Sequence, residues 1–347
     1  MQVAVDALQE ALSRSIKVGE VVRLAACSGA LHATAVGLDC RLNVIVPADG
    51  DMSPVYVAAE PLAKAVQVRA VDVPATLVAD DTTLTCRHGE FRMTLPRVAG
   101  TFEMTGRGSA ALAMPGAGLP EQLAPVAPVV AKDERLGILL HWGEGRAALL
   151  GSSGGYRYHV ARWACPGQGS GRFCFSRGAA DQILHLGKVV AWWQEDDLLY
   201  FAAEHALLRV SPVRDGYPRD WFAPLAQQVY GFTCTFDPTR LAFALKVAAA
   251  ALSNDDIDVT VSVVGLVDAG VLFEVAGKSA REKTSAVEKI VGTDATAPVA
   301  WKGRLVLRDL QQSLAQFGKD PVRVSFGQTT VRIEGGSLQA FLMLLSG

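Results

Sequence analysis

The chain has 347 residues, half of them hydrophobic and a fifth charged, with a formal net charge of -2. At roughly 100–200 residues per domain, that length predicts two or three domains, each able to bury its own core. The charge sum excludes an overall basic nucleic-acid footprint, while leaving room for a basic face on an otherwise acidic body.

No run approaches the ~18 apolar residues of a membrane span, and MQVAVDALQEAL lacks the basic start of a signal peptide. Six scattered cysteines (27, 40, 86, 165, 174, 234) form no CxxC pair and read as reduced, buried thiols of a cytoplasmic protein.

In chain order, Gln2–Val5 reads as a strand, and Asp6 is placed to N-cap a helix over Ala7–Ile16 with the stripe Leu8, Leu12, Ile16. Val21–Ala26, Leu31–Val36 and Cys40–Val46 alternate as strands, and 49–54 reads as a loop. From Val55 to Pro96 the order is strand, helix (AEPLAKAVQ) and three strands, with turns at Asp80–Asp81 and His88–Gly89. Gly106–Pro120, rich in Gly, Ala and Pro, reads as a linker.

A weak helix over Glu121–Val130, damaged by Pro125 and Pro128, opens the middle third. Strands follow at Leu136–Trp142, Arg146–Leu150 and Arg157–Trp163. In the adjacent pair Trp192–Trp193, alternation sends one ring to the core and the other to the opposite sheet face. Asp237–Pro238 is a strong helix start, with Asp as N-cap and Pro at the first helical position. Asp258–Val264, Gly270–Ala276 and Ala286–Val291 are further strands.

The strand–helix–three-strand grammar of Val55–Pro96 returns at Phe173–Pro212 and at Arg304–Leu345, where Gly187 and Gly318 sit as helix C-caps. Six such helix-plus-strands units in three pairs predict an α+β fold of three tandem domains, two helices packed on antiparallel sheets in each, over 1–119, 120–229 and 230–347.

Gly151–Gly155 (GSSGG) matches the hydrolase nucleophile elbow with Ser153 at its centre. That elbow needs a helix after it, whereas YRYHVARW alternates like a strand, so a Gly-rich hairpin turn is the reading preferred and no enzyme is expected. The six histidines show no metal-ligand spacing and read as turn or surface residues. Cations recur on or beside the helices of every unit: Arg14, Lys17, Lys64, Lys132, Arg135, Arg177, Arg240, Lys246 and Arg308. Single helix cations are usually a solvated face; their recurrence is what helices turned toward one polyanion would show.

Over its whole length the chain resembles the bacterial sliding clamp, the beta subunit of DNA polymerase III. The resemblance rests on the three repeated units, on VAPVVAKDERLGILL, on the SN of AALSNDD and on the closing AFLMLL. It implies three similar domains per chain and a homodimeric ring around duplex DNA, with helices lining the hole and the cations above holding phosphates without sequence readout. It implies a groove for short apolar peptides of polymerases and clamp loaders at Leu136, Ser153, Gly155, Tyr156, Arg157, Tyr158, Pro218, Leu342 and Leu344, and a ring contact of Phe102 with Ala251 and Leu252 of the other chain. It implies no cofactor and no metal, and a cytoplasmic, nucleoid-associated place. Departures mark a divergent member: SSGGYRY stands where the family has a loop close to ATDGHRL, Leu345 replaces a proline, and the first domain is shortened near Val18–Glu20. The alternative is a clamp-like decoy or structural protein that binds clamp-interacting peptides without encircling DNA.

Overall fold

The computed structural model describes residues 1–67, 73–102, 113–131, 136–154, 157–167, 169–250, 260–265, 270–276, 285–291 and 302–345. Contacts divide the chain into two compact units: Met1–Pro120 with Trp142–Gly145 and Cys165–Val213, and Glu121–His141 with Arg146–Ala164 and Arg214–Gly347.

The first third supplies β1 (Gln2–Val3), α1 (Val5–Ser15), β2 (Val21–Cys27), β3 (Ala30–Val36), β4 (Cys40–Asp49), β5 (Met52–Ala58), α2 (Ala59–Gln67), β6 (Ala75–Ala79), β7 (Thr83–His88), β8 (Phe91–Pro96) and β9 (Met114–Pro115). The middle third supplies α3 (Leu119–Val126), β10 (Ile138–Gly143), β11 (Arg146–Ser153), β12 (Arg157–Ala164), β13 (Gly171–Phe175), α4 (Arg177–His185), β14 (Ala191–Glu195), β15 (Leu198–Ala202), β16 (Ala206–Val210) and α5 (Ala223–Ala226). The last third supplies β17 (Tyr230–Phe236), α6 (Pro238–Ala250), β18 (Thr260–Gly265), β19 (Gly270–Ala276), β20 (Ser285–Val291), β21 (Lys302–Val306), α7 (Leu307–Leu314), β22 (Val322–Gly327), β23 (Thr330–Gly335) and β24 (Leu338–Met343).

In the first unit one sheet runs β8-β7-β6-β1-β4-β16-β15-β14-β9, with β2, β3 and β5 branching from β4. The β16–β4 ladder, Ala206 opposite Val44 to Val210 opposite Cys40, makes strands of the first and middle thirds one sheet. Helix α1 buries Val5, Leu8, Ala11, Leu12 and Ser15, one stripe at helical spacing, and packs against α2 and β4. Ser15 is satisfied inside that stripe by the carbonyl of Ala11 at 2.8 Å.

In the second unit β11-β12-β24-β23-β22-β17 are neighbours in one sheet, and β20-β19-β18-β21 form a second. Here β12 pairs with β24, Arg157 opposite Leu342 to Ala161 opposite Leu338, so strands of the middle and last thirds share a sheet. The core beneath is Phe232, Phe236, Leu241, Leu245, Leu310, Leu314, Val324 and their neighbours.

Several expectations are corrected. Asp6 does not cap α1: the N-cap is Ala4, with no side-chain cap, and Asp6 lies in the first turn, where its charge favours the positive end of the helix. The 49–54 segment is a tight turn between long strands, not a loop. The Gly/Ala/Pro segment holds β9, which pairs with β14 through Met114 and Trp192, and its last two residues already belong to α3. Helix α3 runs through Pro125 before tightening into a 3-10 turn over Ala127–Val129. Cys27 is exposed, unlike the other five free cysteines. The adjacent tryptophans do take opposite sheet faces as alternation predicts, and both are buried: Trp192 meets Trp142 edge-on at 5.2 Å, and Trp193 stacks on Tyr200 at 5.3 Å. His159 is a fully buried core residue and His88 is nearly so, instead of surface groups.

Candidate nucleic-acid interface and partner groove

The expected cations fall into two classes. Arg14, Lys64 and Arg177 each meet an acid one helical turn away: Glu10 at 2.6 Å, Glu60 at 2.7 Å and Asp181 at 2.9 Å. The Lys64 partnership also holds the Glu60 carboxyl below its ordinary range. Lys17, Arg240, Lys246 and Arg308 are exposed and have no ion-pair partner among the described residues. Lys132 and Arg135 lie outside the described residues.

Local structure places the second class. Asp237 caps α6, accepting from Thr239 N at 2.8 Å and Arg240 N at 3.2 Å through one carboxylate oxygen. That cap fixes the helix phase, which buries Leu241 and Leu245 and leaves Arg240 and Lys246 in solvent. In α7, Leu307, Leu310 and Leu314 face the core, and Arg308 faces away. In the first unit the Lys17 carbonyl accepts from Gln182 Nε2 at 2.7 Å, tying the end of α1 to α4. Where these helices meet, Arg14, Gln182 and His185 line a shallow cleft floored by Leu42, Leu186 and Leu208. His185 was not singled out from the sequence; its place in the last turn of α4 was the available signal.

The expected groove residues sit in the second unit in two groups. In the sheet, Ser153 ends β11 directly opposite Arg157, and Arg157 is opposite Leu342 on β24. Leu342 is buried in the core, while Leu344 packs half-buried against it. Tyr158 points to the other face, opposite Phe341. The second group is Leu136 with the Asp215–Phe222 segment. Tyr217 donates its hydroxyl to the Gly137 carbonyl at 2.8 Å, and its own N–H is turned onto Asp215 at 3.0 Å. Leu136 lies so close to Gly216 that a Cβ there would meet Leu136 Cδ2 at 2.3 Å. Pro218, two residues on, is exposed, and its carbonyl accepts from Trp221 N at 3.2 Å. Arg162 lies 3.5 Å over the Phe222 ring, a cation–π contact that sequence spacing gave no reason to expect. Gly155 and Tyr156 lie outside the described residues.

Arg157 is buried. It donates from Nη1 to Gln312 Oε1 at 2.5 Å, with Asp309 Oδ1 at 3.5 Å from the same nitrogen. Two residues along, His159 places Nδ1 3.0 Å from the Pro125 carbonyl and Nε2 3.0 Å from Ser313 Oγ. A carbonyl only accepts, so Nδ1 carries the proton; in the neutral ring Nε2 then accepts from the Ser313 hydroxyl. Burial holds His159 neutral by lowering its pKa to about 4, and the nearby Arg157 charge acts in the same direction.

Ser153 is followed by a turn with Gly154 at φ +54° and then by strand β12, not by the helix that a nucleophile elbow requires. Phe102 is half-buried against Tyr56, ring centroids 5.1 Å apart at 86°, and its carbonyl accepts from the Tyr56 hydroxyl at 2.7 Å. Ala251 and Leu252, expected opposite Phe102 in a second chain, lie outside the described residues.

No protein-family model matches the sequence, and no curated protein does. Solved structures do. The DNA polymerase III beta subunit of Thermotoga maritima superposes with a TM-score of 0.87 at 12% identity, over 100% of this chain and 99% of that one. The Helicobacter pylori beta clamp bound to a DNA ligase peptide gives 0.81 at 14%, over 100% of both chains. A sliding clamp of Pseudomonas aeruginosa bound to griselimycin gives 0.85 at 16%, over 100% and 98%. The chain therefore has the α+β fold of the DNA sliding clamps along its full length.

Proposed function

We propose that the chain is a DNA sliding clamp: a processivity factor that closes as a head-to-tail homodimeric ring around duplex DNA and tethers a replicative polymerase. In this reading the three expected domains are clamp domains, and polymerase and clamp loader dock short apolar peptides in the groove described above. The observation that carries it is the likeness to clamps over 100% of this chain and 99–100% of theirs. Lys17, Arg240, Lys246 and Arg308, exposed and without an ion-pair partner among the described residues, suit contacts to phosphate without base readout. A ring gains processivity from topology, so weak phosphate contacts suffice. The protein carries out no chemistry of its own, requires no cofactor, and works in the cytoplasm on the nucleoid.

Light scattering over a range of concentrations tests the ring. A particle at about twice the 36.8 kDa chain mass is expected, and a monomer at every concentration would contradict a self-sufficient ring. A second reading, a decoy that captures clamp-binding peptides without encircling DNA, is favoured by the net charge of -2 and by the self-neutralised Arg14, Lys64 and Arg177. Charge reversal at Arg240 and Lys246 separates them: a clamp loses DNA retention, and a decoy loses nothing.

A further inference from the structure

Strand β12 and helix α7 face each other through two matched polar contacts. Side chains two apart on a strand share a face at about 6.8 Å spacing, and residues four apart on a helix share a face at about 6 Å. Arg157 and His159 are such a strand pair, and Asp309 and Ser313 such a helix pair, with Gln312 beside them. The two spacings nearly agree, so both rungs close together: Arg157 on Asp309 and Gln312, His159 on Ser313. The second nitrogen of His159 reaches the Pro125 carbonyl and so ties α3 into the same lock. Ser313 is buried beside the apolar stripe Leu307, Leu310 and Leu314 that attaches α7 to the core, while Asp309 and Gln312 lie off it. Arg157 stands opposite Ser153 and Leu342, with which it makes up the sheet group of the expected groove residues.

We propose that α7 is the positioning element of the partner groove, with Asp309 and Gln312 holding the Arg157 guanidinium and the His159–Ser313 contact fixing the strand behind it. The proposal rests on the groove reading given above and deepens it. Asp309 and Gln312 are positioning residues: they act on a docked peptide through Arg157. An arginine held by two acceptors on a rigid helix loses little freedom when a peptide arrives, which favours binding.

Amide hydrogen exchange on the full chain decides the positioning. In Asp309→Asn, protection at Arg157 to His159 is expected to fall by about tenfold or more, the scale of removing one partner of a partly buried ion pair. Protection in β17 and β22 is expected to stay unchanged. Gln312→Met, which adds no charge imbalance, gives a smaller loss at the same amides, and Asp309→Glu restores protection. Unchanged exchange in both variants, or a loss spread evenly over the second unit, overturns the proposal. Griselimycin serves as the groove probe. Where the wild type binds it, Asp309→Asn weakens binding about tenfold while Asp309→Glu retains it; equal affinity in all three overturns the link to the groove. A wild type that does not bind griselimycin counts against the groove reading, and the exchange result still decides the positioning.

Discussion

His159 sets the chemistry at the residue scale. Its folded-state pKa of about 4 lies below the ordinary 6.5, so the unfolded chain takes up a proton that the folded chain refuses. The stabilisation is complete above about pH 6.5 and is lost as the pH falls toward 4, a change on the order of 3 kcal/mol. Urea midpoints measured from pH 7.5 to 4.5 should fall more steeply for the wild type than for His159→Gln, which has no proton to gain. Parallel curves would show that the ring is not held neutral. A second residue-scale prediction concerns Gly116. A Cβ there would lie 2.2 Å from the backbone oxygen of Val189, which cannot swing aside. Gly116→Ala should therefore cost about 1–3 kcal/mol, read as a lowered Tm.

The sequence showed much at the scale of elements. The Asp237 cap was legible because its two acceptor contacts are local, and α6 begins where Asp–Pro placed it. Asp237→Ala should cost about 1 kcal/mol of stability, measured by denaturant titration. Strands β22 and β23 were legible because the buried Val322, Val324 and Phe326, and Val331 and Ile333, recur at every second position. β9 was not, since a two-residue strand has no period and is fixed only by its ladder with β14. The passage of α3 through Pro125 was hidden too. The lost backbone bond falls near the end of the helix, and the Pro125 carbonyl is satisfied by His159, 34 positions away. The Arg157–Asp309 contact spans middle and last thirds, and no local pattern announces it. The acids that neutralise Arg14, Lys64 and Arg177 stand in the sequence at i,i+4 spacing, so these pairs are legible wherever cations and acids are taken together.

For the whole molecule those pairs matter, because they decide how much positive charge the helices offer. Removing an acid frees its partner: Glu60→Gln, which releases Lys64, should raise DNA affinity and steepen the salt dependence by about 0.9 in log–log slope per added phosphate contact. Arg240→Glu should do the reverse. Filter binding over a salt series checks both, and slopes unchanged in both variants would place these helices away from DNA. The same weak charge suits a protein that holds DNA by enclosure, since tight phosphate contacts would impede sliding. Enclosure is the central claim, and topology tests it most directly. The protein is assembled on a nicked circular plasmid, spontaneously or with a clamp loader supplied, washed in high salt, and followed before and after a single restriction cut. A ring stays on the closed circle and runs off once the plasmid is linear. Protein that survives the cut, or that washes off circle and linear DNA equally fast, would contradict the account.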